Sequence, residues 1–334
     1  MHASEPLPAE HPVDVNPPEV SVVLPVFNGA GTIRSAIDSL LSQTGVELEL
    51  IVVDDGSTDR TPEILLHYGA DPRVRVLRQE PNQGLVAALN RGLAAATHDL
   101  VARLDADDAA LPGRLAHQAA VLLDDPAVLL TACGYERVLP SGEVRRRPVP
   151  PRTLGALAMV AWSGNRLCHS AVMFRRTAVL SVGGYRSEWY PVEDYDLWLR
   201  LLAVGGFRGT SFIGTRYLEN PDGISLQHEQ RQADLVRQRS DEYGASLGAG
   251  PRPTSATPRP LLRHLEDHRA ALRRHLTASG ASTAGVDATA YQLAVAQAGS
   301  GGRLVRHLRL LSVAPALWLT GRRRPDGGGD APLG

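Results

Sequence analysis

Three acidic groups stand where carboxylates could do chemistry. In VARLDADD, Asp105 and Asp107 form an Asp-x-Asp triplet. A lone triplet of this kind arises about once by chance in a chain of this length, so its surroundings decide its meaning. At the end of a buried strand, neighbouring carboxylates repel one another and need compensation. A hard divalent cation shared with a diphosphate supplies it, because Mg²⁺ and Mn²⁺ take one or two carboxylates together with phosphate oxygens. The competing reading is a solvated acidic turn ahead of a helix at Pro112. In VVDDGSTDRT, Asp54 and Asp55 could offer an acceptor to the imino or amide edge of a nucleobase. The same segment also reads as an Asp-Gly-Ser turn whose Ser57 or Asp59 caps the next helix. In PVEDYDLWLRL, Glu193, Asp194 and Asp196 suit the positive N-terminal end of a helix, worth only ~0.3 to 1 kcal/mol each. Alternatively one of them is a general base, with Trp198 one turn beyond Asp194 to stack on a substrate ring.

The elements that must position these groups alternate strand and helix. SVVLPV from Val20 and LELIVVD from Leu48 to Asp54 read as strands, followed by RVRVL from Arg73 and DLVARLD from Asp99 to Asp105. Helices are expected from Thr32 to Thr44, Thr61 to Tyr68 and Leu85 to Ala96. Continuous apolar strands separated by helices predict a parallel, doubly wound α/β sheet, in which ligands sit beyond the carboxyl ends of the strands. Pro25 to Asn28, Asp54 to Asp59 and Asp105 to Asp108 each close a strand. Further along, a helix from about Pro112 to Leu123, a strand from Val128 to Cys133, a hairpin around Pro140 to Gly142, a strand from Ser170 to Phe174 and a helix from Glu193 to Val204 are expected.

The chain divides into a flexible leader over 1–19, a catalytic domain over 20–243, a Gly/Pro/Ser/Thr linker over 244–260, helical segments over 261–320 and a disordered tail over 321–334. Its 334 residues carry a formal net charge of −1, which excludes nucleic acid as the principal partner. The 35 basic residues are all arginine. Cys133 and Cys168 lack the spacing of a zinc site or a disulfide framework and read as small buried hydrophobes. The acidic, proline-rich start has no apolar core and no run approaches the ~20 residues that span a bilayer, so the chain reads as cytoplasmic.

The ordered set SVVLPVFN, IVVDDGSTD, PNQGLVAALNRGL, VARLDADD, CHSAVMFRR and GGYR with EDYDLWLRL resembles the family 2 glycosyltransferases of GT-A fold, from Val20 to about Ser225. That resemblance implies a Rossmann-like, mostly parallel sheet and transfer of a sugar, with inversion, from a UDP-, GDP- or dTDP-linked donor to a hydroxyl on a saccharide, lipid-linked or protein acceptor. Pro25, Val26, Phe27 and Asn28 match the loop that lines the nucleoside, and Asp55 with Asp54 the acidic position at the base. Asn82, Gly84 and Arg103 match positions close to the nucleotide. Asp105 matches the ribose-facing member of the Asp-x-Asp motif, also placed beside the metal, and Asp107 the ligand to Mn²⁺ or Mg²⁺. Asp194 matches the general base. Glu193 and Trp198 would shape the acceptor side, and His169 would lie near the diphosphate or the acceptor.

One departure stands out. Where many members carry a histidine, this chain reads YLENPDGIS, with Glu219 and Asn220 at that place and His228 nearby as a substitute. The arginine- and leucine-rich segments beyond Gly250 read either as an appendage packed on the catalytic domain or a second subunit, or as amphipathic helices on the inner face of a membrane. The competing functions are a non-catalytic nucleotide-sugar binding module, which would not need Asp194, and a nucleotidyltransferase. The latter ordinarily needs a glycine-rich phosphate loop with a basic residue, and PVFNGAGT has none.

Overall fold

The computed structural model describes residues 16–146, 165, 167–220 and 223–246, together with Arg274 and Thr277. The expected leader up to residue 15, nearly all of the linker, the C-terminal helices and the tail lie outside the described residues.

The first half builds as its apolar periodicity demands. Strands β1 (Glu19–Val26), β2 (Glu47–Asp54), β3 (Val74–Arg78) and β4 (Leu100–Arg103) are parallel, in the order β3-β2-β1-β4. Helices α1 (Ile33–Leu41), α2 (Thr61–Tyr68) and α3 (Leu85–Ala95) connect them. Successive strand residues point to opposite faces, so each strand feeds two cores. Val22, Leu24, Leu50 and Val52 pack with Ile33, Ile37 and Leu40 of α1 on one face. Val23, Ile51 and Val53 pack with Leu89 and Leu93 of α3 on the other. Gly92 lets α3 lie directly on β1, since a Cβ there would come within 2.5 Å of Val23.

The second half is mixed rather than parallel. After β5 (Ala109–Ala110) and α4 (Arg114–Asp124) come β6 (Val128–Val138), β7 (Val144–Arg146) and β8 (Val172–Arg175). The order continues β4-β8-β6-β9-β5, with β7 paired to β6 in the expected hairpin. Strand β8 enters between β4 and β6 antiparallel to both. Parallel pairing resumes between β6 and β9, the longest ladder of this half, so the sheet is mostly parallel as expected, with short antiparallel ladders at β8, β7 and β5. The β4–β8 ladder ends at Ala102 and Met173. Beyond it the strands part, and α4 fills the gap: Arg114 donates to the carbonyls of Arg103 and Val172, and Gln118 to that of Ala171. The acidic triplet sits at the mouth of this opening.

Helix α5 (Arg176–Ser181) and helix α6 (Glu193–Leu202) follow, then β9 (Gly206–Leu218), the short α7 (Ile224–Gln227) and α8 (Glu229–Ser246). Neither β9 nor α8 is evident from sequence pattern. Glycine, arginine and threonine interrupt the apolar alternation of β9, and α8 is polar around most of its circumference, with Ser240, Tyr243 and Gly244 as its buried contacts. Regular structure thus runs through Ser246, past the domain boundary expected at 243.

A candidate active site at the carboxyl ends of the strands

The loops that close β1 and β2 are stapled together. Pro25 and Val26 are still in register with β2, and the chain then turns through Asn28 in the left-handed region, at φ 52°. The Asn28 amide donates to Ser57 Oγ at 2.9 Å, while its side-chain oxygen accepts the Thr58 amide at 2.8 Å. This lifts Phe27 onto the surface, 51% exposed beside the strand ends.

Asp54 and Asp55 have different parts in that geometry. Asp54 is buried, accepting the Ser57 amide and Arg78 Nη1, both at 2.9 Å. It holds the Asp-Gly-Ser turn. Asp55 accepts Gln79 Nε2 and the amides of Gln83 and Gly84, at 2.7 to 2.8 Å. Of its roughly four acceptor positions, three are thus engaged in folding the loop after β3. Gly84 takes φ +89° there, and exposed Asn82 accepts the Gly84 amide at 3.1 Å.

The acidic triplet is a built cluster. One ligand-type oxygen from each of Asp105, Asp107 and Asp108 falls within 4.8 Å of the others. Arg103, 2% exposed, grips both oxygens of Asp105 from below. Ser170 Oγ accepts from Arg103 and from the Asp105 amide and donates to Asp105 Oδ2, each at 3.0 Å. Arg103, expected close to the nucleotide, lies buried beneath Asp105. Asp108 is 1% exposed; its Oδ1 accepts the Leu218 amide of β9 at 2.9 Å, while Oδ2 is buried with no hydrogen-bond partner among the described residues. Burial, Asp105 and Asp107 together push the Asp108 carboxyl well above the ordinary range. Burial and then Asp105 also raise Asp107, opposed in part by a hydrogen bond from Asn220. Crowded carboxylates with an orphaned buried oxygen are a donor set that suits a hard divalent cation.

Helix α6 brings up the second acidic pair. Asp194 accepts Asn165 Nδ2 at 2.7 Å and the Tyr195 amide at 2.6 Å. Burial raises its pKa, and Arg103 and Asp105 lie close enough to act on its ionisation. The two acidic groups therefore share one electrostatic environment. Glu193 is 4% exposed, its Oε2 has no hydrogen-bond partner among the described residues, and burial followed by the neighbouring Asp194 pushes it up to about 8. It holds a proton at neutral pH.

His169 joins the same region. Its Nε2 meets the Tyr185 hydroxyl at 2.9 Å, and burial, then Arg103, lower its pKa well below the ordinary histidine value, leaving the ring neutral. Trp198 does not meet its expectation: it is 1% exposed, in the core, with its ring edge-on to His169. It supports that histidine from behind and has no face to offer a substrate. His228 packs edge-on against Tyr190, and the contact with Asp107 is made instead by Asn220, while Glu219 pairs with Arg137 at 3.0 Å. Sequence reasoning missed Asp108, Ser170 and Asn165 as parts of the site. The third acid of LDADD marked Asp108; nothing local marked the other two, which act across 65 and 29 residues of chain.

Known proteins resemble this chain in sequence and in fold. The model of the family described as Glycosyl transferase family 2 matches residues 21–183. A Bacillus subtilis protein named glycosyltransferase EpsE is 36% identical over 214 residues, 63% of this chain and 76% of EpsE. The chondroitin synthase of Pasteurella multocida is 30% identical over 240 residues, 68% of this chain but only 24% of that much longer protein. Among solved structures, the mannosyltransferase PcManGT from Pyrobaculum calidifontis, in complex with GDP-Man and Mn²⁺, superposes with a TM-score of 0.53 at 22% identity, covering 92% of this chain and 84% of its own. That likeness shows a GT-A fold, and the extended match to EpsE shows the lineage: the chain is an enzyme of glycosyltransferase family 2.

Proposed function

We propose that the protein is an inverting, metal-assisted transferase that moves a sugar from a nucleoside-diphosphate donor to a hydroxyl of a growing saccharide. The observation that carries this reading is the crowded cluster of Asp105, Asp107 and Asp108 at the strand ends, gripped at Asp105 by the buried Arg103. PcManGT is a neighbour holding GDP-Man and Mn²⁺, which supports a donor and an ion of this kind.

Each residue then has a defined task. Phe27 presents an exposed ring on which a nucleobase can stack. Asp55 has one acceptor position left for the edge of that base. Asp105, held by Arg103 and Ser170, faces the ribose and borders the ion. Asp107, with Asp105 and Asp108 beside it, would hold Mn²⁺ or Mg²⁺, which supplies Lewis-acid neutralisation of the departing diphosphate. Neutral His169, fixed by Tyr185, lines the diphosphate or acceptor side without adding charge.

Asp194 accepts the acceptor's proton as its oxygen attacks the anomeric carbon, a role ordinarily worth ~10² to 10⁴ in rate. Its raised pKa suits that task better than an ordinary carboxylate. Asn165 and the Tyr195 amide hold the carboxylate in place. Glu193, protonated beside it, avoids adding a second negative charge and leaves Asp194 as the single base, on the face opposite the leaving group. One base and no second nucleophilic carboxylate give inversion.

The test is thermal stability of the purified chain with UDP, GDP, dTDP and CMP, each with Mn²⁺ and with chelator. A ligand at ~100 times its dissociation constant adds about 2.7 kcal/mol. Stabilisation by one nucleotide only in the presence of metal supports the reading and names the donor class; no response to any nucleotide rejects it.

A further inference from the structure

Two residues beyond Asp194, Asp196 is 0% exposed and ringed by three guanidiniums from three segments. Arg186, just before the 3₁₀ turn at Ser187–Trp189, binds both its oxygens. Arg200, one turn along α6, donates to Oδ2 at 2.9 Å, and Arg239, from α8, to Oδ1 at 2.7 Å. Glu188 lies 3.6 Å from Arg186 and Glu242 3.4 Å from Arg239, so three acids and three bases close a network of zero net charge. Although burial opposes its ionisation, the guanidiniums of Arg186, Arg239 and Arg200 keep the Asp196 carboxyl below the ordinary range.

The network reaches the site by two routes. Asp196 belongs to the first turns of α6, the same turns that present Glu193 and Asp194. Arg200 donates to the carbonyls of Val182 and Gly184, immediately before Tyr185, whose hydroxyl meets His169. Helix α8 is seated on the same region: the Arg239 guanidinium lies 5.2 Å over the Trp189 ring, and Gln232 donates to the Pro191 carbonyl at 3.0 Å. A fully buried carboxylate such as Asp196 is costly to desolvate, and the best-attested use of a buried ionic group is to specify one arrangement among several.

We propose that Asp196 is a positioning residue and that α8, through Arg239, is the latch that holds the Glu193–Asp194 turn and the Tyr185–His169 pair in their transfer-competent places. This rests on the assignment of Asp194 as the base. Loss of the latch therefore slows transfer without weakening nucleotide binding, because the strand ends that bind the nucleotide lie outside the network.

Arg239→Gln removes the latch while leaving Asp196 two guanidiniums, and Arg239→Lys keeps the charge. Turnover is followed on whichever of UDP-glucose, UDP-N-acetylglucosamine, GDP-mannose and dTDP-rhamnose the wild type consumes with Mn²⁺. Nucleoside-diphosphate affinity and hydrogen exchange are measured alongside. Arg239→Gln is expected to lower kcat at least tenfold, with the nucleotide Kd within twofold and Arg239→Lys within threefold of wild type in kcat. Amide exchange should rise over residues 193–199 and stay unchanged over β1 and β4. Turnover within twofold of wild type, or a nucleotide affinity that falls in step with turnover, overturns the proposal. Should none of the four donors be consumed, the exchange decides, and equal protection over 193–199 overturns it. An Asp194→Asn variant run in parallel separates the two claims: if it retains turnover, the base assignment fails, whereas loss there with full activity in Arg239→Gln rejects only the latch.

Discussion

Arg103 and Asp105, two residues apart at the end of β4, form a two-pronged ion pair in which the cation is buried and the carboxylate reaches the surface. Burial works against the charge on Arg103, and Asp105 more than offsets it. The same guanidinium acts on Asp107, His169, Glu193 and Asp194. It is the counter-charge of the whole acidic site.

Replacing Arg103 with methionine removes that counter-charge while keeping most of the side-chain volume. Breaking a buried pair costs roughly 3 to 5 kcal/mol, and because the Asp105 side chain is 32% exposed the lower end applies. Urea denaturation of Arg103→Met should show a loss of about 3 kcal/mol; a change under 1 kcal/mol would mean that Asp105 needs no counter-charge.

Asp107→Asn separates the cost of the acidic cluster from its use. Without metal the variant should be at least as stable as wild type, since one of three mutually repelling carboxylates is gone. With Mn²⁺ and the matching nucleoside diphosphate, the rise in Tm expected for wild type should vanish. An unchanged rise would place the ion elsewhere.

Glu193 sets a pH signature. Its carboxyl titrates near 8 in the fold and near 4.5 in the unfolded chain, so the folded protein holds the extra proton between those values. Stability contributed by this group is present at low pH and is lost as pH rises toward 8. Glu193→Gln, a permanently neutral isostere, should therefore raise Tm at pH 8 and change it little at pH 5. A gain that is equal at both values contradicts a buried protonated acid.

The parallel half of the sheet was legible because β1, β2 and β4 are nearly unbroken apolar runs buried on both faces. The polar β9 and α8 were not, as their burial is decided by partners far along the chain: β9 by β6 and α8 by α6. The same division runs through the site. The carboxylates of Asp105, Asp107 and Asp194 announce themselves by residue type and position. The Ser170 hydroxyl, the Asn165 amide and the buried face of Trp198 acquire their meaning only when the fold is closed. Asp54 and Asp55 are adjacent and chemically identical, yet one holds its own turn together with Arg78 and the other folds the loop after β3 through Gln79, Gln83 and Gly84, a distinction made on the neighbouring strand end.

The most direct measurement is on Asp194→Asn, with nucleoside-diphosphate affinity and sugar transfer determined on the same preparation. Its amide keeps the shape of the carboxylate but cannot accept the acceptor's proton. Nucleotide and metal binding within twofold of wild type, with transfer reduced by ~10² or more, is the predicted result. Transfer within tenfold of wild type would contradict the assignment of Asp194 as the base, and with it the mechanism built on the α6 turn.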